Sequence, residues 1–196
     1  MKNHLGSTKA LNDLIVSSLL TKYELKKHEG QNYLRVEISQ SKKYILEDYI
    51  EHHLISKFVQ IHKDEPFFII CPSIMLDYIL KDWTTNGEVT AINPSDLHIN
   101  TLLFWITLFA YKTEYSVVVE TNLSIPLQKT LCYFFSRTIK DCEIINMDNR
   151  FHFKSFLELY LLSNSYRPYL ETGELNEMLS STEKRKLRKI IAKEKA

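Results

Sequence analysis

Residues 115–120 read Tyr-Ser-Val-Val-Val-Glu, a short run that is rich in β-branched residues and has polar neighbours on both sides. Such a run is typical of a buried strand, because β-branched side chains pack well on a pleated surface. Continuous apolar strands occur mainly in parallel sheets that are covered on both faces. The stretch therefore predicts a central strand of an α/β sheet.

Strand and helix patterns alternate on both sides of this run. Strands are predicted over residues 66–71, 88–92, 115–120 and 142–147. Helices are predicted over residues 74–83, 95–111, 124–139 and 149–163. Parallel neighbours need crossover connections of this length, so the alternation favours βα units that wind around one sheet.

The first third of the chain has a different pattern. Helical spacing of leucines predicts a helix over residues 8–20, and alternating apolar residues on both sides of Gly30 predict a β-hairpin. A further helix is predicted to run to about residue 63. The predicted fold is α/β: an N-terminal helix and β-hairpin, then four βα units forming a mixed, mainly parallel sheet with helices on both faces, plus a basic C-terminal helix.

The chain has 196 residues, a length typical of one domain with an appendage. Only four glycines and five prolines occur, so the composition does not indicate a long flexible linker. We therefore expect a single α/β domain over residues 1–170 and a C-terminal basic helical extension over residues 171–196.

Cysteine usage and the N-terminus indicate a cytoplasmic location. The three cysteines form no CxxC pair, and an odd count does not suit a disulfide framework. The N-terminus has no apolar segment of the kind found in secretory signals. The longest apolar stretch, residues 102–111, has about half of the roughly 20 residues that a membrane span needs, so no membrane partner is expected.

Positive charge is concentrated at the C-terminus. Residues 183–195 contain seven bases and two acids, a net charge of +5, whereas the whole chain has +1. The bases are Lys184, Arg185, Lys186, Arg188, Lys189, Lys193 and Lys195. Ser180 and Glu183 fit a capping box that opens a helix here. Residues 183–195 thus predict a contact with nucleic acid or with an acidic protein partner, and a solvated chain end is the alternative.

Three carboxylates follow predicted strands, namely Asp96, Glu120 and Asp148. At one edge of a parallel sheet they could hold Mg²⁺ for hydrolysis of a phosphodiester. Helix capping alone explains Asp96 and Asp148 and is the favoured interpretation, and Glu120 then becomes a charge at the end of a strand. No glycine-rich dinucleotide motif or P-loop occurs, and the histidine spacing does not indicate a metal site, so no cofactor or metal is predicted.

Aromatic residues are frequent before the basic segment. They are Phe151, Phe153, Phe156, Tyr160, Tyr166 and Tyr169, interleaved with bases. Such residues can stack on single-stranded nucleic acid. Packing of a helix against the sheet is the other interpretation, and the helical spacing favours it.

Three functions follow from these patterns. The main hypothesis is a non-catalytic regulatory or scaffold protein that acts by protein–protein interaction, with self-association as one form, because no catalytic motif occurs and many aromatic residues could anchor an interface. The alternative is a nucleic-acid-binding protein, with DNA as one ligand, that uses the basic C-terminal helix. A metal-dependent hydrolase or nuclease at the ends of the strands is the second alternative. A protein without enzymatic activity is favoured, because no catalytic motif occurs.

Overall fold

The computed structural model describes residues 3–139, 144–165 and 172–194. Tyr166, Tyr169 and Lys195, which the sequence analysis singled out, lie outside the described residues. Eight α-helices occur in the described segments: α1 (Asn3–Leu20), α2 (Lys43–His53), α3 (Ile74–Trp83), α4 (Ile99–Phe109), α5 (Ile125–Thr138), α6 (Leu157–Ser165), α7 (Thr172–Met178) and α8 (Ser181–Glu194).

The strands of the described segments are short. They are β1 (Tyr23–His28), β2 (Gln31–Glu37), β3 (Val59–Ile61), β4 (Phe67–Ile70), β5 (Thr84–Thr85), β6 (Glu88–Val89), β7 (Tyr111–Lys112), β8 (Val117–Glu120), β9 (Ile144–Met147) and β10 (Arg150–Phe153). They form two four-stranded sheets, in the orders β1-β2-β4-β3 and β7-β8-β10-β9, and one small β5-β6 pair.

The two larger sheets belong to two structural repeats. The first repeat runs α1-β1-β2-α2-β3-β4-α3, and the second runs α4-β7-β8-α5-β9-β10-α6. Both sheets place the four strands of their repeat in the same order, first-second-fourth-third. The fold therefore contains the same αββαββ arrangement twice, although the sequence shows no repeat beyond the alternation of strands and helices.

The predicted mainly parallel sheet is wrong. Every strand pair in the described part of the chain is antiparallel, including β8 with β10 and β2 with β4. The first sheet is also much less covered on its second face, since Leu34, Val36 and Ile70 are buried on one face while Glu24 and Lys26 on the opposite face are exposed. The βα alternation was misleading because α1, α2, α4 and α5 are each followed by two strands, and β3, β7 and β10 were not recognised.

The unrecognised strands explain this error. β10 lies where a helix over 149–163 was predicted, and it pairs with β9 through a tight turn at Asp148 and Asn149. Both turn residues have positive φ, 53° and 58°, the backbone geometry that two-residue hairpins prefer. β3 lies within the helix predicted to reach residue 63, because α2 ends at His53. β6 covers only Glu88–Val89, whereas a strand was predicted over residues 88–92.

The N-terminal predictions are confirmed. α1 covers the predicted helix, and β1 pairs with β2 in the predicted hairpin, with Tyr23 opposite Val36 and His28 opposite Gln31. The turn uses Glu29 and Gly30, both at positive φ. Glycine adopts this conformation without steric cost, which is why Gly30 was an informative signal.

The two repeats meet along α1 and α4. All eight residues from 101 to 108 of α4 are buried, as are the residues of α1 from Leu14 to Leu20. The Ser17 hydroxyl donates to the Thr101 carbonyl (3.0 Å), and the Thr101 hydroxyl donates to Asp13 Oδ1 (2.5 Å). Burial raises the pKa of Asp13, and the bond from Thr101 opposes that rise. The interface is thus mainly apolar, and the buried side chains of Asp13, Ser17 and Thr101 are hydrogen-bonded across it.

No helix in the described ranges is long and apolar enough to cross a membrane. The cytoplasmic location and the domain boundary near residue 170 stay predictions.

A strained helix end provides a test of the fold. Leu54 caps the C-terminus of α2 in the left-handed region (φ 56°, ψ 39°), and its side chain is 65% exposed. Glycine avoids the steric penalty of this conformation, whereas alanine retains it. We expect Leu54→Gly to be more stable than Leu54→Ala by about 1 kcal/mol in urea unfolding. Equal stability of the two variants would contradict the left-handed geometry.

Candidate nucleic-acid interface

The last helix, α8, presents a basic face to solvent. Five of its bases are exposed: Arg185, Lys186, Arg188, Lys189 and Lys193. They cover the exposed part of the helix, whereas Leu187 is buried and Ile190 is partly buried against the core. From Arg185 to Lys193 the helix rises about 12 Å, at about 1.5 Å per residue. The bases therefore form one positively charged strip, here called the basic face.

The charges of the basic face are not neutralised by the rest of the described protein. Of the six bases in the described part of α8, Lys184 is partly buried and pairs with Glu177 at 3.3 Å. Among the described side chains, none of the five exposed bases has a carboxylate within 4.0 Å. The basic face is thus free to attract an anion, and its role as a contact surface stays a prediction.

Glu183 anchors α8 to the body of the protein. Its Oε2 accepts from the Ser180 amide (2.8 Å), while the Glu183 amide donates to the Ser180 hydroxyl (3.2 Å), which confirms the predicted capping box. Its Oε1 accepts from the amides of Phe156 (2.6 Å) and Leu157 (3.0 Å) at the start of α6. One carboxylate therefore caps two helices and fixes the position of α8.

The electrostatics of Glu183 favour its charged form. Burial opposes ionisation, but the hydrogen bonds from Ser180, Phe156 and Leu157 together lower the pKa of the Glu183 carboxyl. A lowered pKa in the folded state adds stability above the unfolded pKa, and this contribution is lost as the pH falls through the folded pKa. The attachment of α8 should consequently weaken in acid.

Of the three carboxylates that were considered as metal ligands, Asp96 and Glu120 have other partners. Asp96 Oδ2 accepts from the Trp83 indole (3.0 Å), and Glu120 Oε1 accepts from Arg150 (2.9 Å) and from the Tyr111 hydroxyl (3.2 Å). Asp148 lies in the β9–β10 turn. No group of three or more His, Cys, Asp or Glu side chains that could hold a metal ion occurs in the part of the chain that is described. The parallel edge that was expected to bring them together does not exist.

The aromatic residues before α8 are part of the core. Phe151, Phe153 and Phe156 are at most 1% exposed. Phe151 packs on Trp105 (ring centroids 5.6 Å apart), and Phe153 packs on Phe135 (5.5 Å). Rings buried in this way cannot stack on bases, so the packing interpretation is confirmed for these three residues.

Sequence reasoning missed the second function of Glu183. The spacing of Ser180 and Glu183 indicated a capping box, which is local in sequence. The contact with the start of α6 joins positions 26 and 27 residues apart, and no periodic pattern reports it. A single helix was predicted over residues 149–163, which would place Phe156 and Leu157 in its interior. Their amides would then bond within that helix, so a need for an outside acceptor could not be expected.

Comparisons with known proteins give weak similarities. No protein-family model and no curated protein matches the sequence. Among solved structures, full-length DUF199/WhiA from Thermatoga maritima is 12% identical with a TM-score of 0.48, and the match covers 95% of this chain and 66% of that chain. The LAGLIDADG meganuclease I-AabMI bound to uncleaved DNA is 10% identical with a TM-score of 0.48, and the match covers 91% of this chain and 97% of that chain. These similarities are too low to assign a family or a function.

The anchoring of α8 can be tested by removing the carboxylate. Glu183→Ala leaves the Phe156 and Leu157 amides without their partner and removes the capping box. We expect a loss of about 2 kcal/mol in the free energy of unfolding at pH 7, measured in urea.

The matched control is Glu47→Ala, which removes an exposed glutamate in the middle of α2. It should change stability by less than about 0.5 kcal/mol. The difference between wild type and Glu183→Ala should shrink as the pH falls through the lowered pKa of Glu183. A difference that stays constant in acid would contradict the assignment of the ionised carboxylate as the anchor.

Proposed function

We propose that the protein binds nucleic acid through the basic face of α8. The observation that supports this function is a set of five exposed cations on one side of a helix, none paired with a described carboxylate. Phosphates of a nucleic-acid backbone neutralise such cations and release condensed counterions, which drives binding. This proposal replaces the scaffold hypothesis, because no feature of the described residues identifies a protein partner.

The attachment of α8 supports a binding surface rather than a solvated chain end. Leu187 is 8% exposed, and Glu183 ties the first turn of the helix to α6. The bases are therefore displayed on a folded helix, and their backbone does not have to be ordered when the ligand binds. A frayed terminus would lose this advantage, since ordering each residue costs about 1–2 kcal/mol.

The composition of the basic face indicates contact with phosphates rather than with base edges. Between Arg185 and Lys193 the exposed positions carry bases, Ile191 and Ala192, and no Asn or Gln that could read adenine. Contacts of this kind fix a protein on a nucleic acid but carry little sequence information. We therefore expect weak sequence preference and strong dependence on salt concentration.

Neutralising part of the basic face tests the proposal. In the variant Arg188→Gln/Lys189→Gln/Lys193→Gln, three of the five exposed cations are lost. Affinity for a duplex DNA oligonucleotide should fall, and the slope of log K against log salt should become less steep by up to about 2.7, at about 0.9 per phosphate contact. Fluorescence anisotropy at several salt concentrations measures both quantities.

A control with the same change in net charge separates local from general electrostatics. The variant Lys81→Gln/Lys129→Gln/Arg137→Gln removes two lysines and one arginine that are exposed on α3 and α5. Its salt dependence should match that of wild type. Equal losses in both variants, or no binding of DNA or RNA by wild type, would refute the basic face as a nucleic-acid site.

A further inference from the structure

A cleft of about 540 Å³ lies between the two repeats, where α1 and α4 end. The first repeat contributes three bases to its lining, Lys22, Arg35 and Lys42, and the second contributes Lys112. Lys22 pairs with Glu37 (3.5 Å) and Arg35 pairs with Glu24 (3.2 Å), so each of these two bases has a partner within its own repeat. Lys42 and Lys112 are different, because their partners come from the C-terminal part of the chain.

The N-terminal half of α7 is bound to the first repeat through Glu174. Lys42 Nζ donates to Glu174 Oε2 (2.8 Å), and the Tyr44 hydroxyl donates to Glu174 Oε1 (2.5 Å). Only 11% of the Lys42 side chain is exposed. A cation buried to this extent needs a counter-charge, since an unpaired buried charge is costly. Glu174 supplies that counter-charge.

The other end of α7 is bound to the second repeat through Lys112. Lys112 Nζ donates to the carbonyls of Glu177 (3.1 Å) and Leu179 (2.7 Å). These carbonyls lie at the C-terminus of α7, where the helix dipole adds partial negative charge. α7 therefore forms one wall of the cleft and holds one lysine of each repeat, while Leu175, Met178 and Leu179 are buried in the core.

The charges of the cleft depend on α7. Four acids line the cleft, and two of them, Glu174 and Glu177, belong to α7, whereas Glu37 and Glu120 belong to the sheets. With α7 in place, the four bases and four acids balance. Without α7, the lining would carry two more bases than acids, and Lys42 and Lys112 would have lost the partners that they have in this structure.

We propose that the cleft is a binding site for an extended phosphate-bearing anion and that α7 is an autoinhibitory strap, which lines the cleft and neutralises Lys42 and Lys112. Glu174 and the C-terminal carbonyls of α7 take the places of two anionic groups of the ligand. Between residues 174 and 179 the chain rises about 8 Å, which sets the separation that the two groups must bridge. Lysine, a compact point charge, suits such a ligand.

Release of the strap would also affect α8. Glu177 pairs with Lys184 at 3.3 Å, and Leu179 is followed directly by the capping residue Ser180. Displacement of α7 would remove one neutralising partner of α8. This link rests on the proposed nucleic-acid binding, whereas the competition between strap and anion at Lys42 and Lys112 does not.

The experiment uses inorganic tripolyphosphate as the probe and isothermal titration calorimetry at constant ionic strength. All proteins carry Arg188→Gln/Lys189→Gln/Lys193→Gln, so that binding at the basic face does not contribute. Glu174→Gln weakens the strap and keeps Lys42. We expect it to bind tripolyphosphate at least tenfold more tightly than the parent, because a closed strap lowers the fraction of protein that can bind.

Two further variants separate release of the strap from loss of the site. Lys42→Met/Glu174→Gln removes both partners and should lose the gain in affinity, because the cleft lacks its first lysine. Glu47→Gln removes an exposed glutamate on α2 and should bind like the parent. If Glu174→Gln binds no more tightly than the parent while its α7 amides exchange faster, the cleft is not an anion site and the proposal fails.

A measurement on the unaltered cleft covers the case in which Glu174→Gln does not fold. In the parent protein, saturating tripolyphosphate should accelerate hydrogen exchange of the amides of residues 175–179, because the anion displaces the strap. Binding without faster exchange of these amides, or no binding at all, would overturn the proposal. Neither outcome depends on whether the basic face binds nucleic acid.

Discussion

The packing of α1 against α4 is the constraint on which the rest of the structure depends. α4 is apolar on all sides between Leu102 and Leu108, and a helix with this pattern must be covered all round. α1 covers one side, and the sheet of the second repeat and α5 cover others through the Trp105, Phe135 and Phe151 rings. The hydrogen bonds of Thr101 to α1 then fix the relative position of the two repeats.

This helix pair also determines where a site can form. α1 leads into β1 and α4 leads into β7, so the ends of both helices deliver one strand of each repeat to the same region. Thr121, after β8, donates through its hydroxyl to the Leu20 carbonyl at the end of α1 (2.6 Å), which joins the repeats there. The charged cleft lies at this junction, and α7 forms part of its lining. Both proposed sites therefore lie at the edge of the apolar core, the cleft at the junction of the repeats and the basic face on the exposed part of α8.

The sequence predicts those elements whose signals are local. The β1–β2 hairpin was found because strict alternation surrounds a glycine, and α1 was found because its leucines recur at helical spacing. β10 was missed because Phe153, Phe156 and Tyr160 also fit a helix, and because its turn uses Asp-Asn rather than a glycine pair. The end of α2 was missed because leucine, and not glycine, adopts the left-handed cap. Strand direction was wrong as a consequence, since each missed strand turned a hairpin into an apparent crossover.

The same distinction applies to the sites. The basic face could be read from the sequence because its charges are consecutive on one helix and need no partner to be recognised. The cleft could not, because Lys42 and Glu174 are 132 positions apart and each is an ordinary surface residue in its own segment. A lysine becomes informative only when burial shows that it must have a counter-charge, and burial is a property of the packed repeats. The chemistry that depends on long-range contacts therefore emerges from the arrangement of α1, α4 and α7, whereas the electrostatic attraction of α8 is encoded in its own fourteen residues.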